Sequence, residues 1–318
     1  MALSPKIFPL TAVVGLEDVK RLLLLGLVNQ SIGPIAILGP TGCGKSTALR
    51  SIAELLPTDE YLFGCQCNCE PSADVLCNRC TKVRNAGGER KVERPIPLVT
   101  LPFSATPDVL YGKARKVATP HSDLWDDFEP GILALANGGI LTIEKAEHIP
   151  KEMLDKVFTA LSDGKVTIGV PPRRFTYPFH TMPIFEVDGP VLPAGIKRYC
   201  KMVARAVPPT TTEGKVLVLK RVQDFDISPD ALMKEHAGQV ATLREKVAKA
   251  RPRFAGLELP DEMMKAAKKK ARDIGMPDAW SSMLQLAGAA ASFDDTAITV
   301  QTLEEAANFL PTASGGGR

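Results

Sequence analysis

The chain has 318 residues, of which 45% are hydrophobic and 24% are charged, and this is the composition of a globular protein with room for two domains. It excludes a collagenous, mucin-like or wholly disordered protein. Lys and Arg number 39 against 36 Asp and Glu, so the net charge of +3 indicates neither a nucleic-acid partner nor an anionic membrane surface. The apolar runs are far shorter than the roughly 20 residues that span a bilayer, and no signal-peptide core is present. We expect a cytoplasmic protein without a membrane span.

The first two thirds of the chain alternate short β-rich runs with helical patterns. Strands are predicted at 35–38, 97–101 and 139–143, and helices at 46–56 and 152–162. Such alternation predicts a parallel sheet flanked by helices. We therefore predict an α/β domain over residues 1–206.

The last third of the chain contains no β-rich run. Turn or cap residues at 228–230, 259–261 and 300–304 each open an amphipathic helical pattern. We predict a small all-α domain at 228–313, joined to the first domain by a turn-rich linker at 207–227. Residues 314–318 are predicted to form a frayed tail.

A glycine-rich phosphate-binding motif directly follows the first predicted strand. The residues from Gly39 to Ser46 match G-x-x-x-x-G-K-[ST], with a strand before the motif and a helical pattern after it, as the motif requires. In this motif backbone N–H groups surround the phosphates, Lys45 reaches the β and γ phosphates, and the Ser46 hydroxyl ligates Mg²⁺. We therefore expect ATP or ADP with Mg²⁺. The predicted loop residues are Gly39, Pro40, Thr41, Gly42, Cys43, Gly44, Lys45, Ser46 and Thr47, with the Cys43 side chain serving for packing.

The acids that a P-loop ATPase requires are only partly present. Glu144 follows the strand at 139–143 and can hold the Mg²⁺ shell. Lys145 stands where a carboxylate should orient the attacking water, and its ammonium cannot accept a proton at neutral pH. Glu147 is interpreted as a helix-start residue. We predict that nucleotide binding is intact and that hydrolysis is weakened.

Several stretches resemble the I subunit of magnesium chelatase, a family of AAA+ ATPases. The stretch at 8–20 resembles the adenine-side signature of the family and places Val14 and Gly15 beside the nucleotide. Residues 101–112 resemble the opening of its hairpin insertion, and 128–141 is the most similar stretch. The C-terminal helices resemble its lid. The resemblance implies an α/β P-loop fold of the AAA+ class followed by an all-α lid, and assembly into a ring.

Departures from the family pattern fall at positions that act on the nucleotide. The family has Asp-Glu where this chain has Glu144 and Lys145. Asp188 is the nearest candidate for the asparagine that senses the γ-phosphate. Arg198 matches the arginine that the family presents to the nucleotide of the neighbouring subunit, and a surface arginine without that role is the alternative. Residues 285–288 replace phosphate-contacting arginines of the lid.

Five cysteines are crowded between residues 65 and 80. In a chain without a secretory signal, thiols at such spacing more often ligate a metal than form disulfides. We predict a cysteine-rich insertion at 63–82 that holds structural Zn²⁺ or an iron–sulfur cluster, and unligated regulatory thiols are the third interpretation. The preferred ligands are Cys67, Cys69, Cys77 and Cys80, with Cys65 as the spare cysteine.

Three functions follow as alternatives. The leading hypothesis is an ATP-binding AAA+ subunit, in a homo- or hetero-oligomeric ring with an active paralogue, that serves metal insertion into a tetrapyrrole or metalloprotein maturation. Chelatase-like D or H subunits, or a metalloenzyme client, are its expected partners. The second is an active ATPase motor of the MoxR or chelatase-type chaperone kind. The third is a non-catalytic scaffold stabilised by metal and nucleotide.

Overall fold

The computed structural model describes residues 6–114, 128–169 and 174–311. The chain forms two compact units. The first combines Met1–Pro57 with Phe185–Arg318, and the second is Thr58–Ile184. The predicted tail at 314–318 lies outside the described residues.

The first unit begins with the elements that carry the phosphate loop. They are α1 (Glu17–Val28), β1 (Ile35–Gly39) and α2 (Lys45–Ser51). Every residue of β1 is buried, as expected of an apolar strand that is covered on both faces. A 3₁₀ turn at Ile52–Leu55 continues α2 over the rest of the predicted helical pattern.

The second unit contains three antiparallel strand pairs beside two parallel strands. Its elements, up to the strand at which the units divide, are β2 (Thr58–Leu62), α3 (Asn78–Asn85), β3 (Lys91–Pro95), β4 (Leu98–Leu101), α4 (Pro107–Tyr111), β5 (Gly112–Ala114), β6 (Phe128–Pro130), α5 (Ile132–Ala136), β7 (Gly139–Ile143), α6 (Lys151–Asp163), β8 (Lys165–Ile168), β9 (Phe175–Pro178) and β10 (Thr181–Asp188). The antiparallel pairs are β2–β3, β5–β6 and β8–β9, and β4 pairs in parallel with β7.

The first unit resumes inside β10 and ends in helices. Its remaining elements are α7 (Ala194–Lys197), β11 (Met202–Arg205), α8 (Thr212–Ile227), α9 (Pro229–Ala255), α10 (Asp261–Asp273), α11 (Trp280–Asp294) and α12 (Val300–Asn308). In the part of the chain that the structure describes, no strand follows Arg205, as the sequence predicts. Residues 207–227, predicted as a linker, include helix α8.

The central sheet has five strands in the order β11-β1-β10-β7-β4. Strand β1 pairs in parallel with β11, so that Ile35 lies opposite Met202 and Leu38 opposite Arg205. The predicted fold class, a parallel sheet flanked by helices and followed by an all-α region, is confirmed.

The C-terminal helices pack directly on the N-terminal segment of the first unit. Arg21 of α1 donates hydrogen bonds to Asp294 of α11 and to Glu305 of α12, with Nε···Oε1 of the second pair at 2.7 Å. The amide of Val203 donates to the carbonyl of Phe309 at 2.6 Å. These contacts explain why residues 1–57 and the C-terminal helices belong to one compact unit. The sequence instead suggests a domain boundary near residue 206.

Candidate nucleotide and metal sites

The phosphate loop lies between β1 and α2, and two of its glycines are required by its shape. Gly44 has φ +97° at the start of α2, a conformation that L side chains rarely adopt. At Gly39 an added Cβ would lie 2.8 Å from the Cβ of Ala206 and 3.1 Å from the Cys43 sulfur. The loop therefore has no room for a side chain at Gly39, and Cys43 packs against that glycine.

The Lys45 ammonium is buried and has an acceptor for each of its three hydrogens. Its Nζ donates to the carbonyl oxygens of Gly39 and Pro40, both at 2.9 Å, and to Oδ1 of Asp188 at 2.7 Å. Only 3% of the residue is exposed. A buried cation is tolerated when it is paired and hydrogen-bonded in this way.

Asp188 at the end of β10 joins two residues of the phosphate loop. Besides Lys45, its carboxylate accepts a hydrogen bond from the Thr41 hydroxyl at 3.0 Å. The structure thus brings Asp188 to the loop, at the lysine that meets phosphates in P-loop proteins.

Glu186 is a site residue that the sequence reasoning missed. It lies two residues before Asp188, so both side chains leave the same face of β10. The Ser46 hydroxyl donates a hydrogen bond to Glu186 Oε1 at 2.5 Å, and Glu186 is only 8% exposed. Glu186 stands inside the otherwise apolar run from Ile184 to Val187, and this pattern could have revealed it. A glutamate in such a run is expected to be buried, and a buried glutamate is rare without a partner.

Lys145, just after the end of β7, contacts an aromatic ring. It has a left-handed backbone, with φ +45°, and its exposed ammonium lies 5.5 Å from the ring centroid of Phe103. This distance is typical of a cation–π contact. Glu144 before it is half-buried, and Glu147 lies in the 3₁₀ turn Ala146–His148.

The remaining predicted nucleotide residues lie in the first unit. Val14 and Gly15 are half-buried ahead of α1, and a Cβ at Gly15 would lie 3.2 Å from Cδ of Pro209. Thr47 lies in the first turn of α2. Arg198 follows α7 with its guanidinium exposed and stacked 4.6 Å from the ring centroid of Tyr199.

Four cysteine sulfurs of the second unit converge between β2 and α3. The Sγ atoms of Cys65, Cys69, Cys77 and Cys80 all lie within 4.8 Å of one another. The sulfurs of Cys65 and Cys77 are 3.8 Å apart. A tetrahedral ion with metal–sulfur bonds of about 2.3 Å separates its sulfur ligands by about 3.8 Å. The donor set therefore fits one tetrahedral metal ion.

The four converging sulfurs differ from the preferred ligand set at one position, because Cys65 is among them and Cys67 is not. The amides of Cys67 and Cys69 both donate to the Cys65 sulfur, at 3.4 and 3.5 Å, so the backbone curls around that sulfur. The amide of Cys77 similarly donates to the Cys69 sulfur at 3.2 Å. Cys67 is buried but lies outside the group of four.

The crowded thiols stabilise negative charge at two of the four positions. Hydrogen bonds from Cys67, Cys69, Cys77 and Cys80 hold the pKa of Cys65 well below its ordinary value. The pKa of Cys77 falls to about 4, because hydrogen bonding with Cys65 raises it but hydrogen bonds from Cys67, Cys69 and Cys80 outweigh that effect. In the same network the pKa values of Cys69 and Cys80 are raised, chiefly by their hydrogen bonds with Cys65.

The cysteine segment is anchored to the turn that precedes β7. The Asn137 side chain donates to the carbonyls of Cys67 and Asn68, at 3.1 and 2.8 Å, and Asn68 donates to the carbonyl of Leu135 at 2.6 Å. On another side, Asn78 of α3 accepts from the amide of Thr176 at 2.9 Å. The thiols thus belong to a module that is tied to the second unit at several points.

The parallel sheet, the glycine loop between β1 and α2 and the C-terminal helices define a P-loop protein of the AAA+ class. Comparison with solved structures agrees with this class. A complex of the magnesium chelatase subunits BchI and BchD, based on a single-particle cryo-EM reconstruction, contains a chain that matches with a TM-score of 0.52 and 24% identity. The match covers 95% of this chain and 99% of that one.

Sequence relatives define the family. A magnesium-chelatase 38 kDa subunit from Rhodobacter capsulatus is 30% identical over 80% of this chain and 72% of its own length. A magnesium-chelatase subunit ChlI homolog from Methanocaldococcus jannaschii is 29% identical over 96% of this chain and 85% of its own. No protein-family model matches the chain. The chain belongs to the magnesium chelatase I-subunit family of AAA+ proteins.

Among the residues placed by the structure, no helix combines the length and the apolar character that crossing a bilayer requires.

Proposed function

We propose that this chain is an ATP-binding subunit of a magnesium chelatase-like complex, with weakened hydrolysis of its own. The observation that carries the proposal is a complete phosphate loop, with Lys45 buried in it, in a chain that has Lys145 where an ATPase needs a carboxylate. Relatives that are named as magnesium-chelatase subunits support the type of complex.

The loop residues fit a nucleotide with Mg²⁺. Lys45 would exchange its bond to Asp188 for bonds to the β and γ phosphates, and the loop amides would surround the phosphate oxygens. Ser46 offers its hydroxyl to the metal, and Glu144 is the proposed metal-side acid. Bound Mg²⁺ neutralises phosphate charge and holds the triphosphate in place.

Hydrolysis requires a group that orients and deprotonates water, and Lys145 is a poor choice for that task. Its ammonium is positive at neutral pH and lies over the Phe103 ring. The bound nucleotide therefore acts as a switch or as a structural ligand, and its turnover is slow.

Mechanical work would then come from a neighbouring subunit in a ring. An active paralogue supplies its own catalytic acid, and this chain supplies Arg198, whose exposed guanidinium is accessible to another protein. Partners of the D or H type, or a metalloenzyme client, would receive that work. Its outcome is metal insertion into a tetrapyrrole or maturation of a metalloprotein.

For the cysteine module we propose one structural Zn²⁺ held by Cys65, Cys69, Cys77 and Cys80. The spacing of the sulfurs supports a single ion over an iron–sulfur cluster, because the irons of a cluster hold their outer thiolates farther apart than one ion does. The N–H···S bonds around Cys65 and Cys69 support bound thiolates.

A second candidate function is a scaffold that uses this module to recruit a partner, with ATP stabilising the fold. The anchoring of the module by Asn137 and Asn78 favours it, since these bonds make a rigid platform that is separate from the phosphate loop in the sequence.

The experiment that tests the function is isolation of the native complex under anaerobic conditions. Its partner chains, bound metal and bound nucleotide are then identified. Chelatase-like subunits with nucleotide on this chain support the leading proposal. A complex in which this chain carries metal but no nucleotide supports the scaffold.

A further inference from the structure

We propose that Glu186 belongs to the Mg²⁺ shell of the bound nucleotide, as a carboxylate of β10 that acts beside Ser46. The inference deepens the proposed function and rests on the nucleotide binding proposed there.

The position of Glu186 relative to Ser46 carries the inference. The Ser46 hydroxyl is the metal ligand of the glycine-loop motif, and Glu186 Oε1 lies 2.5 Å from its oxygen. A hydroxyl that donates its proton to a carboxylate keeps its lone pairs for a cation. A cation bound at Ser46 would lie within reach of Glu186, either directly or through one metal-bound water.

The chemistry of the carboxylate agrees with that position. Mg²⁺ prefers oxygen ligands and usually binds one or two carboxylates together with phosphates and water. Glu186 is 8% exposed, and attraction between a carboxylate and a divalent cation is stronger where little water screens it. Glu186 is thus suited to hold the metal or to fix the Ser46 hydroxyl toward it.

The two acids of β10 lie at different parts of the proposed site for the metal–nucleotide complex. Asp188 contacts Lys45, the residue that meets the phosphates, whereas Glu186 contacts Ser46, the residue that meets the metal. Phosphates that arrive without a cation would meet two carboxylates and be repelled. Nucleotide binding should therefore depend strongly on the divalent ion, and Glu186 should set that dependence.

The test measures metal and nucleotide binding rather than turnover. Mn²⁺ replaces Mg²⁺ as the probe, and the EPR signal of free Mn²⁺ reports how much metal the protein–ADP complex binds. Wild-type protein is compared with Glu186→Gln and with Glu213→Gln, a matched change at an exposed glutamate of α8. A fluorescent ADP analogue measures nucleotide affinity in parallel, with Mn²⁺ and with EDTA.

For Glu186→Gln we expect Mn²⁺ affinity to fall about 10-fold or more, the effect typical of residues that orient a metal shell. Its affinity for the ADP analogue in EDTA should be unchanged or higher, because a negative charge near the phosphates has been removed. Glu213→Gln should match the wild type. Glu186→Asp, which keeps the carboxylate, should retain more of the Mn²⁺ affinity than Glu186→Gln.

Two results would overturn the inference. One is unchanged Mn²⁺ affinity in Glu186→Gln. The other is an equal loss of nucleotide affinity with and without metal, accompanied by altered circular dichroism, which would identify a purely structural residue. Failure of the proposed function is distinct from both, since the wild type would then bind no ADP analogue under either condition.

Discussion

Lys45 must change partners when a nucleotide binds. Its ammonium is shared among two loop carbonyls and Asp188, at 2.7 to 2.9 Å. The carbonyls belong to the loop itself, so the Asp188 carboxylate is the partner that an arriving phosphate replaces. The affinity for nucleotide therefore depends on how much more strongly Lys45 binds phosphate than it binds the Asp188 carboxylate.

Replacing Lys45 by Ala is expected to abolish measurable nucleotide binding. The change removes the ammonium that meets the β and γ phosphates and leaves Asp188 facing them without its cation. We expect a loss of at least about 100-fold in affinity, or about 3 kcal/mol. Isothermal titration with ATP and Mg²⁺ measures it, and Lys215→Ala, at an exposed lysine of α8, is the control. Wild-type affinity in Lys45→Ala would contradict the loop assignment.

Replacing Asp188 by Asn is expected to strengthen nucleotide binding when Mg²⁺ is absent. The amide keeps the size of the side chain but removes the charge that competes with phosphate for Lys45. An effect of about 10-fold corresponds to about 1.4 kcal/mol, which is modest for one charge beside a buried ammonium. ATP titration in EDTA tests it. Weaker binding would show that Asp188 supports the nucleotide in another way.

At the residue scale the sequence predicted the loop and missed its second acid. The motif fixes Lys45 and Ser46 because glycine spacing and flanking elements are local features. Glu186 reaches Ser46 only through the pairing of strands distant in sequence, and no local pattern encodes that contact. Asp188 was found only because the family resemblance pointed to its segment.

We propose that the residues at the end of strand β7 decide whether the chain hydrolyses ATP. Its last residue is followed by half-buried Glu144 and then by Lys145 in a left-handed conformation. Every residue of the strand itself is buried, whereas Lys145 is exposed. A change of residue type there should therefore alter the chemistry more than the fold.

Lys145→Glu is expected to raise ATP turnover by about 10-fold or more, because a positioned general base contributes about 10²- to 10⁴-fold. Phosphate release by purified protein measures it. Lys145→Gln, which removes the charge without supplying a base, is the matched control and should have little effect. A wild-type rate near about 10 s⁻¹, the median for enzymes, would show that another group already activates water.

The cysteine module offers a matched pair of substitutions. Cys65→Ser is expected to lose the metal, whereas Cys67→Ser should keep it, because only the former removes one of the four converging sulfurs. Cys77→Ser and Cys80→Ser should behave like Cys65→Ser. Elemental analysis of anaerobically purified protein tests this, with zinc at about one per chain expected and no visible absorption.

The structural effect of losing the metal should remain local. ATP affinity is expected to change little in the three metal-free variants, while the segment between β2 and β3 becomes susceptible to proteolysis. Equal metal content in Cys65→Ser and Cys67→Ser would refute the ligand set. Iron with sulfide and a broad absorption band near about 400 nm would show that the site holds an iron–sulfur cluster instead of zinc.

At the scale of elements the strands at 35–38, 97–101 and 139–143 and the C-terminal helices followed from periodicity and helix caps, whereas β10 and β11 of the central sheet were not predicted. The cysteine count predicted a metal module, but the choice between Cys65 and Cys67 depended on how the backbone turns, which spacing alone does not determine. Helix α8 was missed because the Pro and Thr residues just before it, at 208–211, are typical of a turn. None of its own residues is buried to give a clear apolar stripe.

The whole molecule is proposed to work beside another subunit, and Arg198 is the residue through which that dependence can be measured. Arg198→Ala should leave ATP affinity of this chain unchanged, because the residue lies outside its own phosphate loop. It should reduce ATP turnover of the reconstituted complex with the partner chains, by about 10³-fold if the arginine acts in trans as arginine fingers do. Arg205→Ala, at another exposed arginine nearby in the sequence, is the control. Unchanged turnover would remove Arg198 from the catalytic machinery.

We propose that this chain binds ATP and retains it uncleaved. The most direct test of this proposal is a single-turnover experiment in which the purified protein, in excess over labelled ATP with Mg²⁺, is sampled over minutes and the bound nucleotide is identified. We expect most of the label to stay on the protein as ATP over that time, with turnover slower than about 0.001 s⁻¹, about four decades below the usual enzyme rate of about 10 s⁻¹. Rapid conversion to bound ADP with release of phosphate would contradict it, and so would a failure of the protein to retain the label at all.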